Sequence, residues 1–139
     1  MVDNGMSKNA EKLLTRGLII DEPWISLILS GKKTWEMRST GTRKRGPIGL
    51  IRKGSGQVVG AAELVDSLPA LSREDYAKTE QLHRIPIEFQ SAAILRRRVR
   101  PWVLAAARPL PKPIPYQHGS GPVIWVKLDA AVVAAILAN

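Results

Sequence analysis

GLIIDEPWISLILSGKKTWEMRS, residues Gly17 to Ser39, sets the fold of this chain. Its opening, Gly17–Asp21, is a short apolar run that ends in an acid, the pattern of a buried strand. Asp21-Glu22-Pro23 predicts a helix start, with acids near the positive end and proline in the first turn. Trp24, Leu27 and Ile28 share a face at i, i+3, i+4 spacing, and Gly31 stops the helix. Thr34–Arg38 resumes in extended form, with Thr34, Glu36 and Arg38 on one side and Trp35 and Met37 on the other. From Gly31 to Gly46, Glu36 is the one acid among six cations: Lys32, Lys33, Arg38, Arg43, Lys44 and Arg45. If its face lines a cleft the carboxylate needs a partner, because an unpaired buried charge is costly, and Lys33 or Arg38 can supply one. Spacing alone fits a structural ion pair as well as a reactive site. Trp24 and Trp35 read as core aromatics.

Outward from this stretch, Ser39–Pro47 is a loop by its Gly and Pro content. Gly46–Lys53 is a strand, Gly54–Gln57 a tight connection, and Val58–Leu68 a longer strand in which Gly60 marks a bulge or bend. Ser72–His83 is a helix with Ser72 as N-cap and Asp75 three residues on. A second helix runs from Ile87 to about Arg97. Trp102–Leu110 is a strand, and Pro111–Tyr116 an extended, polyproline-like segment. Gly121–Leu128 is a strand, and a helix capped by Asp129 closes the chain, its apolar face packing on the sheet. Residues 1–15 read as a flexible polar arm and 16–139 as one domain. Six short strands with a few helices predict an α+β fold: a small, partly closed β-barrel with short helices at its rim.

The 139 residues are enough for one core. The absence of cysteine excludes disulfides, thiol nucleophiles and cysteine-based zinc sites, and fits a reducing compartment. No apolar run approaches the ~18 residues of a membrane span, and the opening lacks a secretory segment. A cytoplasmic protein is therefore expected. His83 and His118 lie far apart, so neither a metal site nor any other cofactor is expected, although a divalent metal assisting cleavage stays open. No phosphate-binding Walker loop or catalytic triad can be read.

The formal net charge is +9, which favours a polyanionic partner. It is unevenly spread. Lys32, Lys33, Arg38, Arg43, Lys44, Arg45, Arg52 and Lys53 face one acid, and Arg96, Arg97, Arg98, Arg100 and Arg108 form a second cluster without any.

The opening stretch resembles the start of an ASCH domain, a branch of the PUA-like superfamily. The family's G-x-K-x-x-E-x-R signature is filled by Gly31, Lys33, Glu36 and Arg38. VVGAAELVD (Val58–Asp66) and PYQHGSGPVIWVKL (Pro115–Leu128) are also similar, so the resemblance covers Gly17 to Leu128. It implies a PUA-like β-barrel of about six mixed strands whose cleft, lined by the signature, binds RNA or a nucleobase. Some bacterial members are ribonucleases. Others hydrolyse N4-acetylcytidine with a lysine and a threonine of the motif and a distant glutamate. Here Glu36 stands where that threonine would be. Thr34 is two residues away, ~7 Å along a strand, and Glu80 is a weak match for the distant acid. The amidohydrolase reading is thereby weakened.

The expectation is a nucleic-acid-binding protein with RNA as its preferred partner and single-stranded nucleic acid as a further one, and with ribonuclease activity as an extension. Lys33, Glu36, Arg38 and Lys53 would carry the chemistry. Lys32, Arg43, Lys44, Arg45, Arg52, Arg96, Arg97, Arg98 and Arg100 would hold phosphates, and Tyr116 and His118 would reach the same cleft. A modified-nucleoside amidohydrolase and a noncatalytic adaptor are the alternatives.

Overall fold

The computed structural model describes residues 13–121 and 123–139. Most of the arm expected over 1–15 lies outside them. Its last residues are built into the fold: Leu14 is buried, and the Thr15 carbonyl accepts from the Leu128 N–H.

Six strands and five helices follow one another among the described residues. They are β1 (Arg16–Ile20), α1 (Trp24–Leu29), β2 (Trp35–Arg38), β3 (Gly46–Arg52), β4 (Gln57–Ser67), α2 (Arg73–Lys78), α3 (Glu80–His83), α4 (Ile87–Leu95), β5 (Arg100–Pro115), β6 (Trp125–Lys127) and α5 (Ala130–Leu137). The strands form one mixed sheet in the order β2-β5-β4-β3-β1-β6, with β1 and β3 parallel and the other pairs antiparallel. The sheet curls into a half-barrel. Trp102 of β5 and Trp125 of β6 are four steps apart in strand order, yet their rings stack with centroids 5.7 Å apart. The expected α+β fold with about six mixed strands is thus observed.

The hollow of the curl holds Leu18, Ile20, Ile48, Leu50, Ala62, Leu64, Trp102 and Leu104, closed by Ile25 and Ile28 of α1. The face of α1 turned inward is therefore the Ile25/Ile28 stripe, and Trp24 is left half-buried at its edge. On the outer side, Val132, Val133 and Ile136 of α5 cover Leu14, Ile51, Val58, Leu110 and Val126. Asp129 caps α5 by accepting from the Val132 N–H, and Arg108 donates to the Asn139 and Ile136 carbonyls at its far end.

Gly60 sits where β4 shifts register against β5. A Cβ there would run into the Leu29 side chain and lie 2.7 Å from the Arg108 carbonyl oxygen. Three expectations need correction. The segment 111–116 is no separate polyproline stretch, because β5 continues to Pro115. Pro109, Pro111, Pro113 and Pro115 recur at every second residue, so their missing N–H groups fall on one edge and the other edge pairs with β4. The closing strand is shorter than 121–128, and Val123 and Ile124 before it are exposed. The helix expected over 72–83 breaks at Thr79 into α2 and α3.

Candidate functional site

The cleft is organised around a lysine that the backbone places before β2. Gly31, in the left-handed region at φ 81°, ends α1. The N–H groups of Lys32 and Lys33 then both donate to the Leu27 carbonyl. Lys33 is thereby directed inward and is 2% exposed. Its Nζ donates to the His83 carbonyl at 2.5 Å, lies 3.9 Å from Glu36 Oε1 and stands 4.8 Å from the centre of the Trp24 ring. Burial lowers its pKa to about 8. Glu36 opposes the shift and Arg38 adds to it.

Glu36 and Arg38 share a strand face, as their spacing predicts. Arg38 donates from Nε to Glu36 Oε2 at 3.0 Å, its Nη2 lies 2.9 Å from the same oxygen in an ion pair, and Nη2 donates to the Ile19 carbonyl at 2.8 Å. Its guanidinium carbon lies 5.5 Å from the centre of the Trp102 ring. Both proposed partners therefore hold the carboxylate, one on each oxygen.

The acceptor for Lys33 comes from α3, fifty residues away. His83 Nδ1 accepts from the Ile85 N–H, so its Nε2–H donates to the Tyr76 carbonyl, and the ring is a buried neutral imidazole. Burial lowers its pKa further below the ordinary value. Arg84, left-handed after α3, donates from Nε to the Lys32 carbonyl, and the Thr34 N–H donates to the Leu82 carbonyl. These bonds fasten the helical segment to the signature.

Two adjoining cavities open over the Lys33–Glu36–Arg38 group. The smaller, about 340 Å³, is walled by Trp24, Met37, Ile85, Phe89, Ala92 and Ala93, with Arg96 and Arg98 at its edge. The larger, about 490 Å³, extends past Ser39, Thr40 and Trp102 to Lys53 and Asp21. Trp24, Glu36, Met37, Arg96 and Arg98 border both, so they form one cleft. Arg98 arrives there because Arg97 is left-handed at φ 60°, turning the chain after α4, and the Tyr76 hydroxyl donates to the Arg98 carbonyl at 2.9 Å. Among the described residues no three His, Asp or Glu side chains gather in a way that could hold a metal ion.

The structure brings together Lys33, Glu36, Arg38 and Lys53 with Arg96 and Arg98, joining parts of both basic clusters. The other expected phosphate ligands lie outside the cleft walls. Lys32, Arg43, Arg97 and Arg100 are exposed. Lys44 Nζ donates to Thr15 Oγ1, Arg45 folds onto the Thr42 and Lys44 carbonyls and Asp66, and Arg52 pairs with Glu22. Tyr116 packs against the cluster under α5, with its hydroxyl 3.0 Å from His118 Nδ1, and neither residue lines the cleft. Thr34 and Glu80 are also absent from the walls of both cavities. Sequence reading missed Phe89, Ala92 and Ala93, whose i, i+3, i+4 spacing was visible but pointed equally to a core. Trp24, expected in the core, does pack against two core clusters, and its ring also forms a wall of the cleft.

No helix among the described residues is long and apolar enough to cross a membrane. No curated protein matches the chain. Among solved structures, the ASCH protein of Zymomonas mobilis matches with a TM-score of 0.70 at 14% identity, over 88% of this chain and 93% of that one. A serine-to-alanine variant of the Zymomonas protein matches with a TM-score of 0.68 at 14% identity, over 92% and 96% of the two chains. A tyrosine-to-phenylalanine variant gives 0.67 at 15%, over 88% and 96%. At these identities the likeness shows a common fold. The family model described as the ASCH domain matches residues 18–115, most of the chain and the whole Lys33–Glu36–Arg38 signature, and the chain therefore belongs to the ASCH domain family.

Proposed function

We propose that the protein binds single-stranded RNA in this cleft. One observation carries the reading: Arg96 and Arg98, remote in sequence, border the same cleft as Lys53 and the Lys33–Glu36–Arg38 group. Lys53, which lies 3.9 Å from Asp21 in an exposed pair, and Arg96 and Arg98 are the exposed cations at its rim and would hold phosphates, which positions a strand without reading its sequence. At ~0.7 released counterions per phosphate, roughly three such contacts predict about a twentyfold loss of affinity between ~50 and ~200 mM salt. Fluorescence anisotropy with a labelled oligoribonucleotide tests this, and a flat salt response would refute it.

The cleft also supports cleavage. Lys33, with a pKa of about 8, has a usable neutral fraction near pH 7 and can take the proton from a ribose 2′-hydroxyl. The O2′–P bond forms as the P–O5′ bond breaks, and the Lys33 ammonium returns its proton to the leaving O5′, directly or through water, leaving a 2′,3′-cyclic phosphate and a 5′-hydroxyl. Lys53 and Arg98 would stabilise the phosphorane charge. The route needs the 2′-hydroxyl, so DNA of the same sequence should stay intact, and cleaved DNA would rule the mechanism out. A second reading, hydrolysis of an acylated nucleoside, is favoured by the size of the smaller cavity, about 340 Å³. Thr34 lies away from both cavities and no hydroxyl side chain lines the smaller one, so the nucleophile would come from Ser39 or Thr40 on the wall of the adjoining larger cavity. Release of cytidine from N4-acetylcytidine separates it from RNA binding.

A further inference from the structure

α4 presents Phe89, Ala92, Ala93 and Arg96 to the smaller cavity, at i, i+3, i+4 and i+7. They make one continuous stripe, ~10 Å long at 1.5 Å per residue, with an aromatic ring at one end, a guanidinium at the other and two methyl groups between. Phe89 is the single phenylalanine of the chain, and it is 59% exposed. An apolar ring of that size left in water on a cleft wall is not explained by the core, which is closed beneath α4 by Met37, Tyr76 and Ile85. Gln90, about 100° around the helix from Phe89 and buried, fixes α4 by donating to the Ile85 carbonyl at 2.9 Å. The stripe is therefore held in place by a buried contact while its aromatic end stays free.

Resting on the RNA reading, we infer that Phe89 is a base-stacking platform at the mouth of the cleft. It would hold a nucleotide flanking the one inside, with Arg96 taking a phosphate of the same strand. This makes the preferred ligand an oligonucleotide with unpaired bases rather than a duplex. An aromatic face accepts any base, so the contact adds affinity without sequence preference. It also adds no charge, so it acts independently of counterion release.

The test uses the full chain with fluorescein-labelled hexaadenylate RNA and an abasic ribose-phosphate hexamer. Stacking on one aromatic is worth about 5- to 160-fold in affinity. F89A should therefore weaken hexaadenylate binding by about tenfold, while F89W retains it. The slope of log affinity against log salt should be the same in all three proteins, and the abasic hexamer should bind wild type and F89A alike. Thermal melting confirms that the exposed substitution leaves the fold intact. Unchanged hexaadenylate affinity in F89A, or equal losses in F89A and F89W, would overturn the platform. So would a loss that appears only as a change of oligomeric state, which would make the ring a protein contact. If the wild-type protein binds no RNA at any salt concentration, the underlying RNA reading fails instead, a distinct result.

Discussion

Glu36 shows what a single letter can and cannot disclose. Its pairing with Arg38 was legible, because residues two apart on a strand share a face. The acceptor that completes the Lys33 environment was not, because the His83 carbonyl comes from a segment fifty residues away that carries no local sign of its destination. Lys33 offers the clearest measurement at this scale. Its folded pKa of about 8 lies below the ordinary 10.5. Between those values the unfolded chain binds the proton and the folded chain does not, so stability rises with pH across this window. Below it both states are protonated, and the cost of burying an ammonium, about 3 kcal/mol at ~1.4 kcal/mol per pH unit, is fully present. K33M keeps an apolar stem of similar length and removes the titration. From pH 7.5 to 10.5 the stability of wild type relative to K33M should therefore rise by up to about 3 kcal/mol in urea denaturation. A gap independent of pH would place the Lys33 ammonium in an ordinary, solvated state.

At the scale of elements, the sequence was most readable where one period dominates. β1, β3 and β4 follow from short apolar runs, and α2 and α5 begin at Ser72 and Asp129, whose side chains accept from the N–H groups of Asp75 and Val132. β5 was misread beyond Leu110 because proline suggests chain without sheet partners. What matters is that its prolines alternate, which leaves one edge able to pair. The stripe of α4 was visible as a period, but its direction, toward a cleft rather than a core, depends on how α2 and α3 prop it. Gly60 ties several elements together, since β4 bends there beneath Leu29 of α1 and beside Arg108 of β5. The Leu29 side chain can turn aside for a new methyl group, but the Arg108 carbonyl, 2.7 Å from the Cβ position, belongs to a paired strand. G60A should thus cost about 3 kcal/mol, the upper end of overpacking, read as a lowered urea midpoint with unchanged slope. A shift below a few tenths of a kcal/mol would mean that the register of β4 against β5 relaxes freely.

For the whole molecule, the charge was legible as a sum and illegible as a surface. The sequence shows two basic clusters, but folding divides each of them. Arg96, Arg98 and Lys53 reach the cleft, Arg45 and Arg52 are occupied by Asp66 and Glu22, and Arg108 closes the end of α5. Lys32 and Arg43 stay exposed and outside both cavities. On the RNA reading these two groups of cations have separable effects. Those at the cleft touch the bound strand, so their loss should speed dissociation. Those outside contribute only to the field that draws a polyanion in, so their loss should slow association. Reversing Lys32 and Arg43 to glutamate takes the formal net charge from +9 to +5, two units for each reversal. In stopped-flow mixing with a labelled oligoribonucleotide at ~50 mM salt, this double variant should associate about fivefold more slowly and dissociate within about twofold of wild type. At ~1 M salt the Debye length falls to ~3 Å and the difference in association should vanish. Faster dissociation in the double variant would instead mean that Lys32 or Arg43 touches the bound strand, extending the binding track beyond the cleft.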